Sequence, residues 1–234
     1  MKKFYVIGLN IEDIKTQFIN HGFVLDEYNP DFVVSFGGDG TLLKSEFIYP
    51  NVPKLFLKNT NVGKLAQNKK NQEVIDGFIK NNYFIKEYKK LKVTLNEKRY
   101  LIASNEINIH NANPRSAIRF RIKVDNDYLH HELIGDGVII ANPLGSTGYY
   151  KSITDSYFEI GIGVAFNNST EAADHVVLDS KRNIKIEITR GPAEVFADNQ
   201  FDFLKAEEGD ILEIVEIEDT IKLIRIHDNI LEQE

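Results

Sequence analysis

A change of hydrophobic period divides this chain and limits what it can fold into. Up to about residue 87, short apolar runs alternate with helical stripes; beyond it, apolar residues recur at every second position. Phe4 to Leu9 reads as a buried strand, and Asn10 is expected to cap a helix whose stripe is Ile11, Ile14 and Phe18 and which Gly22 ends. Phe32 to Phe36 is a second strand, stopped by a Gly-rich turn, after which Thr41 to Phe47 starts another helix. Lys54 to Leu57 makes a third strand. Asn71 to Asn81 makes a further helix, with Val74, Ile75, Phe78 and Ile79 on one face. Alternating strand and helix implies a parallel sheet with covering helices.

The second half obeys a different rule. Tyr100 to Ile109 is apolar-rich, and Ile118, Phe120, Ile122 and Val124 alternate with Arg119, Arg121, Lys123 and Asp125, as in a strand with one wet face. Ile184, Ile186 and Ile188 repeat the pattern, and β-rich runs cover Ile211 to Ile217 and Ile221 to Ile226. The expected organisation is an α/β domain over 1–87 followed by a mainly antiparallel β domain over 88–234. The boundary falls near the Lys86 to Lys92 charge cluster, and the C-terminal tail is expected to return to the first domain.

Composition excludes several functions. A formal net charge of -7 lacks the basic stripe that a non-specific nucleic-acid binder needs. No cysteine is present, so disulfides, thiolate catalysis and cysteine-bound zinc are ruled out. No stretch nears the roughly 20 apolar residues of a membrane span. The apolar run after Lys2 and Lys3 is too short for a signal-peptide core and is followed by Glu12 and Asp13, so a cytoplasmic protein is expected.

Four constellations stand out. Gly37-Gly38-Asp39-Gly40-Thr41 lies between a buried strand and a helix start, where glycines let the backbone approach a ligand and free amides favour an anion. A carboxylate inside a phosphate turn is unfavourable unless it serves a metal or a hydroxyl; a tight β-to-α turn with a capping Asp is an equal reading. Gly135-Asp136-Gly137 precedes a strand that ends in Asn142-Pro143-Leu144-Gly145-Ser146-Thr147-Gly148-Tyr149, hydroxyls and flexible backbone suited to a polar ribose or amide, or simply a loop. Asn105-Glu106 interrupts a run that otherwise belongs in a core, as an exposed edge also would. Asp198-Asn199-Gln200 sits between β-rich runs, and a hairpin turn explains Asn199, because Asn tolerates positive φ.

In this order, the pieces resemble the NAD kinase family, which carries Gly-Gly-Asp-Gly-Thr, Asn-Glu, Gly-Asp-Gly with a Thr-Pro-Thr-Gly-Ser-Thr-Ala-Tyr-like stretch, and Asp-Gly-Gln. Asn61-Val62-Gly63-Lys64-Leu65 is similar to the family's Asn-x-Gly-x-Leu loop. The resemblance implies transfer of a phosphoryl group from ATP or polyphosphate, with Mg²⁺ or another divalent cation, to the 2′-hydroxyl of the adenosine ribose of NAD. It implies Asp39 as the catalytic carboxylate, and phosphate contacts from the amides around Gly37, Gly38, Gly40 and Thr41. It also implies that Asn105 and Glu106 hold the adenosine end, Thr147, Gly148, Tyr149 and Ser152 line the adenine and ribose site, Asp136 meets the nicotinamide end, and Asp198 completes the set. A homo-oligomer, dimer or tetramer, is implied as well.

Asn142 and Leu144 depart from the family's Thr or Ser, and Ile153 to Ile162 stands where a Gly-Gly-Pro stretch is usual. The apolar groups of 153–168, among them Tyr157, Phe158, Ile160, Ile162, Val164 and Phe166, are expected to be buried in the sheet or at an interface. Two alternatives remain: a diacylglycerol or sphingosine-type lipid kinase, which shares the glycine turn, and an NAD-binding sensor of reduced activity. Against the first, Leu42 to Glu46 follows the turn instead of Asn-Glu-Val.

Overall fold

The computed structural model describes residues 1–59, 64–125, 127–171 and 175–228. The chain divides into two compact units, Met1–Glu87 with Ile221–Glu234 and Tyr88–Thr220. The first contains β1 (Lys3–Gly8), α1 (Glu12–Asn20), β2 (Val24–Leu25), β3 (Phe32–Gly37), α2 (Asp39–Ile48), β4 (Lys54–Lys58) and α3 (Asn71–Ile79). Strand β5 (Tyr83–Leu95) carries the chain into the second, which continues through β6 (Arg99–Ala103), β7 (Glu106–Asn111), β8 (Ile118–Val124), β9 (Asp127–Gly135) and β10 (Gly137–Ala141). A 3₁₀ turn over Gly145–Thr147 and α4 (Tyr149–Thr154) follow. Then come β11 (Ile162–Asn167), β12 (Val176–Leu178), β13 (Ile184–Arg190), β14 (Ala193–Ala197), β15 (Phe203–Ala206) and β16 (Ile211–Ile226).

In the first unit β2, β1, β3 and β4 lie side by side and parallel, and the last residues of β16 extend the sheet through Leu223 and Ile224 beside Lys54 and Leu55. Parallel strands covered on both faces read as continuous apolar runs, which is why Phe32 to Ser35 is buried at every position. One face packs Phe4, Phe32 and Val34 against Ile14 and Phe18 of α1 and Val74, Ile75 and Phe78 of α3. The rings of Phe32 and Phe78 approach to 4.5 Å, and each such side chain contributes about 1.5–3 kcal/mol on burial. Helix α2 carries Glu46, which forms a buried ion pair with Lys54 of β4. Asn10 does not cap α1: it turns with φ 55, and the helix starts at Glu12 with Ile11 in the cap position and no side-chain cap bond. The chain uses the left-handed conformation that Asn tolerates to leave β1, so its side chain is not positioned as a cap.

The second unit is a two-sheet sandwich. One sheet pairs β6 with β5, β5 with β16, and then β16, β13, β8 and β9 in antiparallel order. The other runs β12, β11, β10, β7, β14, β15, all antiparallel. The inward residues of both, including Val93, Phe120, Ile186 and Ile214 from one sheet and Ile107, Ile109, Ile140 and Val164 from the other, form one core. Tyr100 to Ile109 is thus not one strand: it breaks at Ser104 and Asn105, where the chain passes from β6 to β7 and changes sheet. Within 153–168, Ile162, Val164 and Ala165 are fully buried in β11. Phe158 packs edge-on against Tyr150 at 5.1 Å. Tyr157 and Ile160, by contrast, are 59% and 84% exposed. No helix among the described residues is long and apolar enough to cross a membrane.

Candidate functional site

The glycine turn ends β3 and opens α2. Gly38 is the extended N-cap, and the helix begins at Asp39, two residues earlier than expected from Thr41. Gly37 is obligatory, because a Cβ there would run into the Thr41 side chain. The Thr41 amide, expected among the phosphate donors, instead donates to the Gly38 carbonyl at 3.0 Å, closing the first helical turn. The carboxylate of Asp39 has its own partners: Oδ2 accepts from the Lys64 amide and Oδ1 from the Leu65 amide, each at 3.1 Å. These two amides, with the N-terminus of α2, offset the charge that made an acid in this turn unfavourable. Asn61, Val62 and Gly63 lie outside the described residues; Lys64 and Leu65 of the same motif are the ones that hold Asp39.

In the second unit the structure brings Asn105, Glu106, Thr147, Gly148 and Asp198 together. Asp198, at φ 50, takes the left-handed position that was expected of Asn199. That turn aims its carboxylate at the break between β6 and β7, where Oδ2 accepts from the Ser104 amide at 2.6 Å and Oδ1 from Asn105 at 2.8 Å and Glu106 at 3.2 Å. Expected as a ligand contact, this acid is occupied by main-chain amides. Burial pushes its carboxyl up to about 6 against the opposing pull of those bonds and of the Lys90 charge. Asn142 is fully buried and holds the break from the other side: Nδ2 donates to the carbonyls of Ser104 at 2.7 Å and Lys89 at 2.9 Å, while Oδ1 accepts from the Gly145 amide at 2.9 Å. Gly145 accepts no substituent, since a Cβ would meet the Asn105 carbonyl and come within 2.9 Å of Glu106 Oε2. A Cβ on Gly148 would lie 3.6 Å from the same carboxylate, an ordinary contact.

Two polar atoms here are buried without a partner in the chain: Oδ1 of Asn105 and Oγ1 of Thr147. A buried polar atom left unpaired costs about 1–3 kcal/mol, so a ligand or an ordered water completes the bonding of such atoms.

Tyr149 and Ser152 line a neighbouring cavity of about 450 Å³ with Ile153, Phe166, Asn167, Asn168 and Ser169. Tyr149 is held by Asn167, whose Nδ2 donates to its hydroxyl at 3.1 Å, and the Ser152 hydroxyl bonds back to the Tyr149 carbonyl at 2.7 Å. Asp136 is clasped by two amides, Asn111 to Oδ1 at 3.1 Å and Asn168 to Oδ2 at 2.7 Å. Asn111, Asn142, Asn167, Asn168 and Lys90 were not among the expected site residues. The polar cluster Asn167-Asn168-Ser169, directly after an apolar run, was the available signal.

A parallel α/β unit with a Gly-Gly-Asp-Gly-Thr helix start, joined to an antiparallel β sandwich with Asn-Glu, Asp and Gly-Ser-Thr-Gly at its strand ends, defines the class of protein. Within that class, residues 104–226 match the family model described as the ATP-NAD kinase C-terminal domain. That match covers more than half of the 234 residues, and the chain belongs to this family. The NAD kinase of Pyrococcus abyssi is 34% identical over 132 residues, 55% of this chain and 47% of the relative. The chain thus spans about half the length of such curated relatives. The NAD kinase of Picrophilus torridus aligns more broadly, 27% identical over 231 residues, 91% of this chain and 80% of that protein. Among solved structures, an NAD kinase from Archaeoglobus fulgidus in complex with ATP superposes with a TM-score of 0.79 at 20% identity, covering 97% of this chain and 94% of the other. Yeast NADH kinase complexed with NADH gives 0.80 at 17%, covering 98% and 84%. The likeness to both structures is one of fold.

Proposed function

We propose that this chain is an NAD kinase, transferring a phosphoryl group from ATP or polyphosphate to the 2′-hydroxyl of the adenosine ribose of NAD. The observation that carries the reading is the pair of unpartnered buried atoms, Asn105 Oδ1 and Thr147 Oγ1, beside a Glu106 carboxylate to which Gly145 gives room. An amide oxygen, a hydroxyl and a carboxylate on these neighbouring segments suit the amino group of adenine and the hydroxyls of ribose. Family membership and the relatives' names support the same substrate.

In this reading Asn105 and Glu106 hold the adenosine, with Thr147, Gly148, Tyr149 and Ser152 lining its site. Asp136, fixed by Asn111 and Asn168, faces the nicotinamide end, and Asp198 shapes the turn that carries Asn105. Gly37, Gly38 and Gly40 bring main chain against the donor phosphates, with Thr41 packed beneath them. Asp39, oriented by the Lys64 and Leu65 amides, accepts a hydrogen bond from the 2′-hydroxyl. The ribose oxygen bonds to the terminal phosphorus, the bond from that phosphorus to the bridging oxygen breaks, and the hydroxyl proton passes late to the carboxylate. A loose transition state asks for positioning and charge stabilisation rather than covalent help, so one oriented acid suffices. Mg²⁺ or another divalent cation, where bound with the triphosphate, would neutralise charge on the donor phosphates beside the Gly37–Thr41 turn.

The test is formation of NADP from NAD, or of NADPH from NADH, by the purified chain, with ATP, GTP and polyphosphate as donors and diacylglycerol as the rival acceptor. NADP formation is expected; binding of NAD without turnover under every donor would leave a sensor, and lipid phosphorylation would leave a lipid kinase. A homo-oligomer, dimer or tetramer, is part of the proposal, and a fully active monomer in light scattering would remove it. A cytoplasmic location belongs to the same reading.

A further inference from the structure

Two carboxamides that enter no step above anchor the stretch of chain that holds Asp39. Gln67 is half-buried, and its side chain bonds both main-chain groups of Ile226 at the end of β16: Nε2 donates to the carbonyl at 2.9 Å and Oε1 accepts from the amide at 2.8 Å. Asn71, the first residue of α3, does the same to Lys58 at the end of β4, with Nδ2 donating to the carbonyl at 2.6 Å and Oδ1 accepting from the amide at 2.9 Å. Each carboxamide stands in for one residue of a neighbouring strand, supplying a donor and an acceptor together. Ile226 is a firm anchor: it is buried in the core with Val74, Ile75 and Phe78 of α3, and a Cβ on Gly77 would collide with its Cγ2. Gln67 follows the Lys64 and Leu65 amides that Asp39 accepts by three and two residues. No more than about 10 Å of chain therefore separates the anchor from either amide. Lys69 pairs with Asp228 at 2.8 Å further along, but with Asp228 almost wholly exposed that pair adds little.

We propose that Gln67 is a positioning residue for the phosphoryl transfer: by strapping the 64–69 segment to the end of β16, it sets the two amides that orient the Asp39 carboxylate. This role rests on the reading of Asp39 as the acid that faces the 2′-hydroxyl, but the strap itself is testable without substrate. Gln67 touches no reacting group, and its effect passes through Lys64 and Leu65. An acid held by two bonds of 3.1 Å moves with its donors, and a misplacement of about 1 Å at a reacting group costs on the order of 10²-fold in rate.

The experiment compares Gln67→Met, which keeps the length and loses both bonds, with Gln67→Glu, which keeps the acceptor for the Ile226 amide and loses the donor. Hydrogen exchange of individual amides is followed by NMR in the full chain, beside kcat for NADP formation and the Kd for NAD. In Gln67→Met the Lys64 and Leu65 amides should exchange at least about tenfold faster, while those of β1 and β3 keep their rates. Its kcat should fall about 10- to 100-fold and its Kd for NAD should change less than about threefold, because the adenosine residues lie on other elements. Gln67→Glu should fall between the unmodified protein and Gln67→Met in both exchange and kcat, and it carries the test if Gln67→Met does not fold. In the Asp39→Asn background the Gln67 substitution should lower kcat by less than about twofold, since a residue acting through Asp39 has nothing left to act on. A merely structural loss would lower kcat equally in both backgrounds. Unchanged exchange at Lys64 and Leu65 in a folded Gln67 variant, unchanged kcat, or full additivity with Asp39→Asn overturns the proposal. Should the unmodified chain form no NADP while exchange at those two amides still follows Gln67, the kinase reading falls and the strap on the Asp39-holding segment stands.

Discussion

Asp39 and Asp198 are both carboxylates held by main-chain amides of a distant segment, yet they are set up for different work. Asp39 sits at the start of α2, accepts two amides at 3.1 Å, and its bond to Lys64 lies in the open. Asp198 accepts three, as short as 2.6 Å, with its carboxyl desolvated and lifted to about 6. The lesson is that hydrogen-bond count does not identify a reactive acid. A carboxylate with two long, partly solvated bonds keeps lone pairs for a substrate; one wrapped by three amides in a dry place is a bracket for the backbone.

The sharpest way to break that comparison is Asp39→Asn. It should lower kcat for NADP formation by about 10³-fold or more, while NAD affinity, read by calorimetry, changes less than threefold. Near-normal turnover would remove the catalytic role. Glu106→Ala comes next: NAD binding should weaken by about 10- to 100-fold, with the melting temperature retained, since a carboxylate kept for a ligand is not needed by the core. Asp198→Ala should do the reverse of Asp39→Asn, costing about 2–4 kcal/mol in urea unfolding because three buried amides lose their acceptor. If Asp39→Ala costs as much, the two acids do not differ in kind. The smallest effect is in pH. Because the folded value of Asp198, about 6, lies above its ordinary 3.8, its contribution to stability is full below 3.8 and is lost as pH rises through about 6. This component of the slope should vanish in Asp198→Asn, and an unchanged profile would place the titration elsewhere.

How far the sequence revealed these roles follows from the range of each interaction. The alternation at Ile118 to Val124 and Ile184 to Ile188 is a local signature, and Phe120 to Val124 of β8 pairs residue for residue with Ile184 to Ile188 of β13. The glycine turn was legible too, because its spacing between an apolar run and a helix start is local. The wiring was not: Asn111 reaches Asp136 across 25 residues, Asn142 reaches Ser104 across 38, and Asp198 reaches Ser104 across 94. A polar residue beside an apolar run does not announce which distant amide it will meet. The left-handed turn at Asp198 was missed for a related reason, since Asn199 is the better intrinsic candidate and the tertiary need for the Asp198 carboxylate decided the matter.

The bonds of Asn142 run to the main chain of Lys89, Ser104 and Gly145, never to their side chains. Mutational tolerance should therefore be lopsided around this residue. Positions 89 and 104 can drift in identity without disturbing it, because every residue type offers the same carbonyl. Position 142 cannot follow them, because a threonine has one hydroxyl hydrogen where two are needed to join both segments. A family survey that scored only side-chain pairs would see no covariation here, and would overlook the residue that ties the break between β6 and β7 to the Gly-Ser-Thr-Gly loop.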